Sequence, residues 1–83
     1  MTVYVLYDCV ENPDEWAFAG IEHVYFKYED AYSRMKQLYE ECTAGYPEEK
    51  LEENVEHFIE GYSAKVADGS YHHVWTISKE EVI

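Results

Sequence analysis

The sequence predicts an α+β fold: a two-layer sandwich in which an antiparallel sheet of three or four strands carries two helices on one face, in the order β-β-α-α-β. Three observations lead there. Residues 3–10 and 16–27 are rich in aromatic and β-branched side chains with period-two alternation. Two following segments repeat their apolar residues with helical period. A last run, Tyr71 to Ser78, returns to strand alternation.

Val3 to Val10 is apolar on both faces, with Val3, Val5, Tyr7 and Cys9 alternating against Tyr4 and Leu6. A strand apolar on both sides belongs in the middle of a sheet. Glu11-Asn12-Pro13-Asp14-Glu15 breaks that strand with a proline and charge. Trp16 to Lys27 then forms the second strand of an antiparallel hairpin, with Gly20 as its bulge or bend.

Glu29 and Asp30 open an amphipathic helix whose buried face is Ala31, Met35, Leu38 and Cys42. The two acids favour the positive end of the helix dipole, and Thr43-Ala44-Gly45 supplies the stop. Pro47 starts a second helix, in which Leu51, Val55, Phe58, Ile59 and Tyr62 recur on the face toward the sheet. Gly61 leaves its end open, so residues 62–68 fit either helix or strand before the turn at Asp68-Gly69. In the closing strand His73, Trp75 and Ile77 alternate against His72, Val74 and Thr76, and Ser78 with Lys79-Glu80-Glu81 suits a capped terminal helical turn. The sheet face away from the helices is expected to carry several of Tyr4, His23, Tyr25, His73 and Trp75, and so to be a contact surface.

Eighty-three residues, 47% hydrophobic and 17% aromatic, suffice for a single compact domain spanning 1–83. The aromatic content argues against disorder despite a formal net charge of -12. That charge disfavours direct contact with nucleic acid or an anionic membrane face and favours basic partners. The N-terminus lacks a basic region before its apolar run, and no apolar stretch approaches the ~20 residues that span a bilayer, so a cytoplasmic location is expected. Cys9 and Cys42 lie on different elements and read as buried free thiols.

Signatures of catalysis are missing. No histidine stands three or four residues from another, and His72 and His73, adjacent on a strand, point to opposite faces. No phosphate-binding glycine loop or nucleophile elbow is present in a chain with only Gly 4. Glu52, Glu53 and Glu56 project from a regular helix without the loop carbonyls that calcium sites use. The expectation is a non-enzymatic protein with no metal and no cofactor.

The informative segment is acidic. Glu48, Glu49, Glu52, Glu53, Glu56 and Glu60 surround a single base, Lys50, and Glu40 and Glu41 end the preceding helix near the same side. On one helix Glu48, Glu52, Glu56 and Glu60 form an i, i+4 row, in which each like-charged pair costs a few tenths of a kcal/mol. The carboxylates then recur about every 6 Å, comparable to successive phosphates along a nucleic-acid strand, so the row can imitate a phosphate backbone. An acid-rich solvent face that serves only solubility is the plain alternative.

The runs Val3-Tyr4-Val5-Leu6-Tyr7, Ile21-Glu22-His23-Val24-Tyr25-Phe26 with Tyr28-Glu29-Asp30-Ala31, and His73-Val74-Trp75-Thr76-Ile77 resemble a group of small uncharacterised phage and bacterial α+β proteins. Here Lys27-Tyr28 stands where that group places a hydroxyl cap, and no site residues carry over from it. In size and charge the chain is also similar to phage DNA-mimic inhibitors of the anti-CRISPR and anti-restriction kind. That likeness implies a small acidic inhibitor, homo-oligomeric or not, that blocks a basic nucleic-acid-binding protein or nuclease effector in the host cytoplasm. The other expectation is an adaptor or self-associating module that docks through aromatics such as Tyr25 and Trp75.

Overall fold

A computed structural model describes residues 1–12, 16–69 and 71–83; the Pro13-Asp14-Glu15 part of the expected turn lies outside the described residues. The elements are β1 (Thr2–Asn12), β2 (Trp16–Tyr25), α1 (Tyr28–Ala44), α2 (Glu48–Glu53), β3 (Glu56–Glu60), β4 (Ser63–Asp68) and β5 (Tyr71–Glu81). They build one five-stranded sheet in the order β2-β1-β5-β4-β3, with every neighbouring pair antiparallel. The fold is α+β, as expected, but with five strands and with β5 rather than β1 at the centre.

The first half follows its sequence signals. The hairpin of β1 and β2 forms, and its irregularity falls at Glu22 instead of Gly20, because Leu6 pairs with His23 while Tyr7 pairs with Ile21. The extra residue turns the Glu22 carboxylate toward α1, where it meets the Arg34 guanidinium at 3.1 Å. Helix α1 buries Ala31 and Met35, carries Glu29 and Asp30 in its first turn, and ends at Gly45.

The second half departs from expectation. The acidic helix stops at Glu53, and residues 56–60 form strand β3, paired with β4. Val55, Phe58 and Ile59 fit either period, but two physical terms favour the strand. Continuing the helix would complete the row of like charges, and Val55, Phe58 and Ile59 are better strand than helix formers. As a strand the segment points His57 and Ile59 toward the helices and Glu56, Phe58 and Glu60 away, which brings Glu56 within 3.3 Å of Lys65 on β4. Residues 63–68 are therefore strand. Tyr62, assigned by helical period to the packed face, sits in the turn and is exposed.

The expected terminal helical turn is also absent. Strand β5 runs on to Glu81 because β1 offers it a continuous partner through the pairs Tyr4–Lys79, Val3–Glu80 and Thr2–Glu81.

The core lies between the sheet and the helices: Leu6, Ala31, Met35, Val55, Ala64, Val66, Trp75 and Ile77 form one buried cluster, with Leu51 of α2 packed at its margin. This corrects the assignment of the aromatics. Trp75 is fully buried in the core, Tyr4 meets the α1 residue Tyr28 edge-on at 5.9 Å, and His73 stacks on Trp75 at 4.0 Å. These rings stand on the helix side because β1 and β5 pair Leu6 with Ile77, which puts every even-numbered residue of β1 from Thr2 to Val10 beneath the helices.

Candidate functional site

The carboxylates singled out in the sequence occupy three elements. Glu40 and Glu41 are near the C-terminal end of α1, Glu48, Glu49, Glu52 and Glu53 on α2, and Glu56 and Glu60 on β3, all exposed. Strand β3 is the last strand of the sheet, so the acids collect at one edge of the molecule. They do not form one helical row. Spacing of about 6 Å survives only within α2, between Glu48 and Glu52 and between Glu49 and Glu53, one helical turn apart. Glu56 and Glu60, four residues apart on an extended strand, are separated by roughly 13 Å along it.

Cations neutralise this edge only in part. Lys36 lies 3.9 Å from Glu40, and Lys65 lies 3.3 Å from Glu56. Among the described residues no ion pair engages Glu41, Glu48, Glu49, Glu52, Glu53 or Glu60. Charged residues on an edge strand also discourage sheet-to-sheet aggregation, and Glu56 and Glu60 serve that purpose whatever else they do.

A second constellation escaped the sequence reading. On the helix side of the sheet His73 bridges Asp8, through Nε2, and the Tyr71 hydroxyl, 3.1 Å from Nδ1. Nearby, the Tyr46 hydroxyl donates to Asp68 at 2.9 Å. Burial, then the hydrogen bond to Asp68, pushes the Tyr46 phenol up to about 12. Burial likewise raises Tyr71, with Cys42, Asp8 and Asp68 adding to it, and raises the Cys42 thiol, with Asp68 and Asp8 adding. Each shift favours the neutral form, which suits structural hydrogen bonding and keeps thiol and phenols un-ionised at neutral pH. The register of β1 against β5, which pairs Asp8 with Trp75 and Val10 with His73, brings Asp8 to His73, and that of β4 against β5 sets Asp68 beside Tyr71, so no local motif announces the cluster.

Beside Tyr46 an open cleft of about 640 Å³ is bounded by Lys50, Asn54, Val55, Asp68 and Gly69. Its lining mixes a cation, an anion and an amide and favours neither sign of ligand. Among the described residues no group of three or more His, Cys, Asp or Glu side chains is placed to hold a metal ion, and no helix is long and apolar enough to cross a membrane. Cys9 and Cys42 are free, half-buried and on opposite sides of the sheet, so they cannot join each other.

Among the described residues no helix lies over the other sheet face. The strand register directs Val3, Val5, Tyr7 and Cys9 of β1, Ile21 and Val24 of β2, Val74 of β5 and Phe58 of β3 to this side. Comparison with family models, with curated proteins and with solved structures finds no match.

Proposed function

We propose that this chain is a non-enzymatic acidic inhibitor that binds a basic nucleic-acid-processing protein, such as a nuclease effector, and occupies the surface that would otherwise hold nucleic acid. The observation that carries the reading is the concentration of exposed carboxylates on α2 and its flanks, with Glu41, Glu48, Glu49, Glu52, Glu53 and Glu60 outside any ion pair among the described residues. Uncompensated charge of one sign steers an oppositely charged partner and speeds association. The likeness in size and charge to phage DNA-mimic inhibitors supports the same reading.

The mimicry is one of charge density and not of a phosphate-spaced ladder, since only one helical turn of α2 keeps that spacing. Glu49, Glu52 and Glu53 are therefore the residues to test, ahead of Glu56, which Lys65 already engages. The immobilised protein is challenged with host lysate, eluted on a salt gradient, and each eluted protein is then competed with duplex DNA. A basic nucleic-acid-binding protein that leaves at moderate salt, is displaced by DNA, and is not retained by the Glu52→Lys/Glu53→Lys variant is the expected result. Retention indifferent to salt, to DNA and to the double reversal overturns the proposal.

A further inference from the structure

The central strands are apolar on both sides, and the described residues place helices over one side only. Alternation along β1 places Leu6 beneath the helices and Val3, Val5, Tyr7 and Cys9 on the opposite face. Strands whose two faces are both apolar are normally buried on both. Val3 and Val5 are only 7% exposed, yet Ile21 remains 61% and Val24 46% exposed, and Tyr7 and Phe58 are exposed as well. These residues lie on adjacent strands: Val5 pairs with Val24, Tyr7 with Ile21, and Cys9 with Val74. They make a continuous apolar surface across β2, β1 and β5.

Carboxylates flank that surface at both ends of β1 and β5 and along the far edge at β3, while its β2 edge carries none among the described residues. On the same face stand Glu11 of β1, Glu80 of β5, and Glu56 and Glu60 of β3. Among the described strand residues the bases on this side are Lys65, which pairs with Glu56, and His72, which stands opposite Glu11. An apolar centre with an acidic rim is complementary to a protein surface with an apolar centre and a rim of lysine or arginine. A second copy fits less well, because a face-to-face pair sets acidic rims together on chains that each carry a formal net charge of -12.

We propose that the open face of the sheet, centred on Val5, Tyr7, Ile21 and Val24, is a docking surface for a basic protein partner whose contact patch is apolar at its centre. This deepens the reading of the chain as an inhibitor of a basic protein and rests on it. The carboxylates steer the encounter and the open face supplies the contact that salt does not screen.

The probes are two synthetic peptides of equal length and equal lysine content, alternating Lys-Val and alternating Lys-Ser, titrated into the full chain by calorimetry at low and at high salt. Backbone amide shifts map where each binds. The Lys-Val peptide is expected to bind at least tenfold more tightly, to keep measurable affinity at high salt, and to shift the amides of Val3, Val5, Tyr7 and Val74. The Ile21→Ser/Val24→Ser variant should lose that tenfold preference while retaining its weaker, salt-sensitive binding of the Lys-Ser peptide. Both residues are exposed, and circular dichroism checks that the variant stays folded.

Equal affinity for the two peptides, unchanged by the variant, overturns the docking surface and leaves the acidic-inhibitor reading standing. Failure of both peptides to bind at low salt overturns both. Sedimentation of the free protein supplies the last test. A dimer that the Ile21→Ser/Val24→Ser change dissolves assigns this face to a second copy and overturns the proposal.

Discussion

Replacing Trp75 by alanine separates a core residue from a contact residue. Its side chain is 1% exposed within the Leu6, Met35, Val66 and Ile77 cluster, and its indole Nε1 has no hydrogen-bond partner among the described residues. A buried aromatic of this size removes roughly 150–250 Å² from water, and truncation to alanine costs about 3–5 kcal/mol including the cavity. A chain of 83 residues has roughly 4–12 kcal/mol of total stability. With a urea dependence of about 1 kcal/mol per M for a domain this small, Trp75→Ala should lower the unfolding midpoint by about 3–5 M or leave the chain unfolded. Trp75→Phe behaves differently. It keeps most of the ring burial and removes a buried donor whose desolvation costs about 1–3 kcal/mol, so the two changes nearly cancel. The assay is urea unfolding followed by far-ultraviolet circular dichroism, because Trp16 complicates fluorescence. A Trp75→Ala midpoint within 0.5 M of wild type, marked here as the roughly 0.5 kcal/mol typical of surface changes, would refute the buried placement. A Trp75→Phe midpoint as low as that of the alanine variant would refute the argument about the unpaired donor.

Tyr46 and Cys42, both made weaker acids by burial, give two more outcomes. Tyr46 is held at about 12 in the fold and ionises near its ordinary 10 when unfolded, so its contribution to stability is complete below pH 10 and is lost as pH rises toward 12. Thermal unfolding at a series of pH values should show a fall above pH 10 that is shallower in Tyr46→Phe; the same slope in both proteins would exclude Tyr46 as its source. The Cys42 thiol, raised mainly by burial, should react with a thiol reagent at pH 8 more slowly in the folded protein than in urea. Equal rates in the two states would place Cys42 in solvent.

Legibility in the sequence divided at about residue 53. The hairpin and α1 were readable because their periods exclude each other: Val3 to Val10 has no helical stripe, and Ala31, Met35, Leu38 and Cys42 have no strand alternation. From Val55 to Ile59 both periods are satisfied, since Val55 and Ile59 lie four apart and also share a strand face. The difference is settled by β4, which lies just across the Gly61-Tyr62 turn and offers an apolar partner through Ala64 and Val66; because residues 62–68 themselves fit either period, periodicity alone does not show the pairing or its register. The same blindness to register hid the Asp8–His73–Tyr71 contacts and placed Trp75 on the wrong side of the sheet.

The acidic character on which the proposed function rests was legible in composition and not in geometry. That acids outnumber bases between residues 48 and 60 is plain from the sequence, but their arrangement depends on where α2 ends. A continuous row of like charges is costly, and that cost was itself the argument for a role in binding. The fold largely avoids the cost by turning residues 56–60 into a strand, where Glu56 gains Lys65. The argument from a tolerated penalty therefore narrows to Glu48, Glu49, Glu52 and Glu53, where two like-charged i, i+4 pairs persist with Lys50 as the one base in the helix. What grows in its place is the contrast between the two sides of the sheet. One apolar face has its helices and the other, flanked by carboxylates, has none of the described elements upon it, and this contrast is what motivates the proposed basic partner.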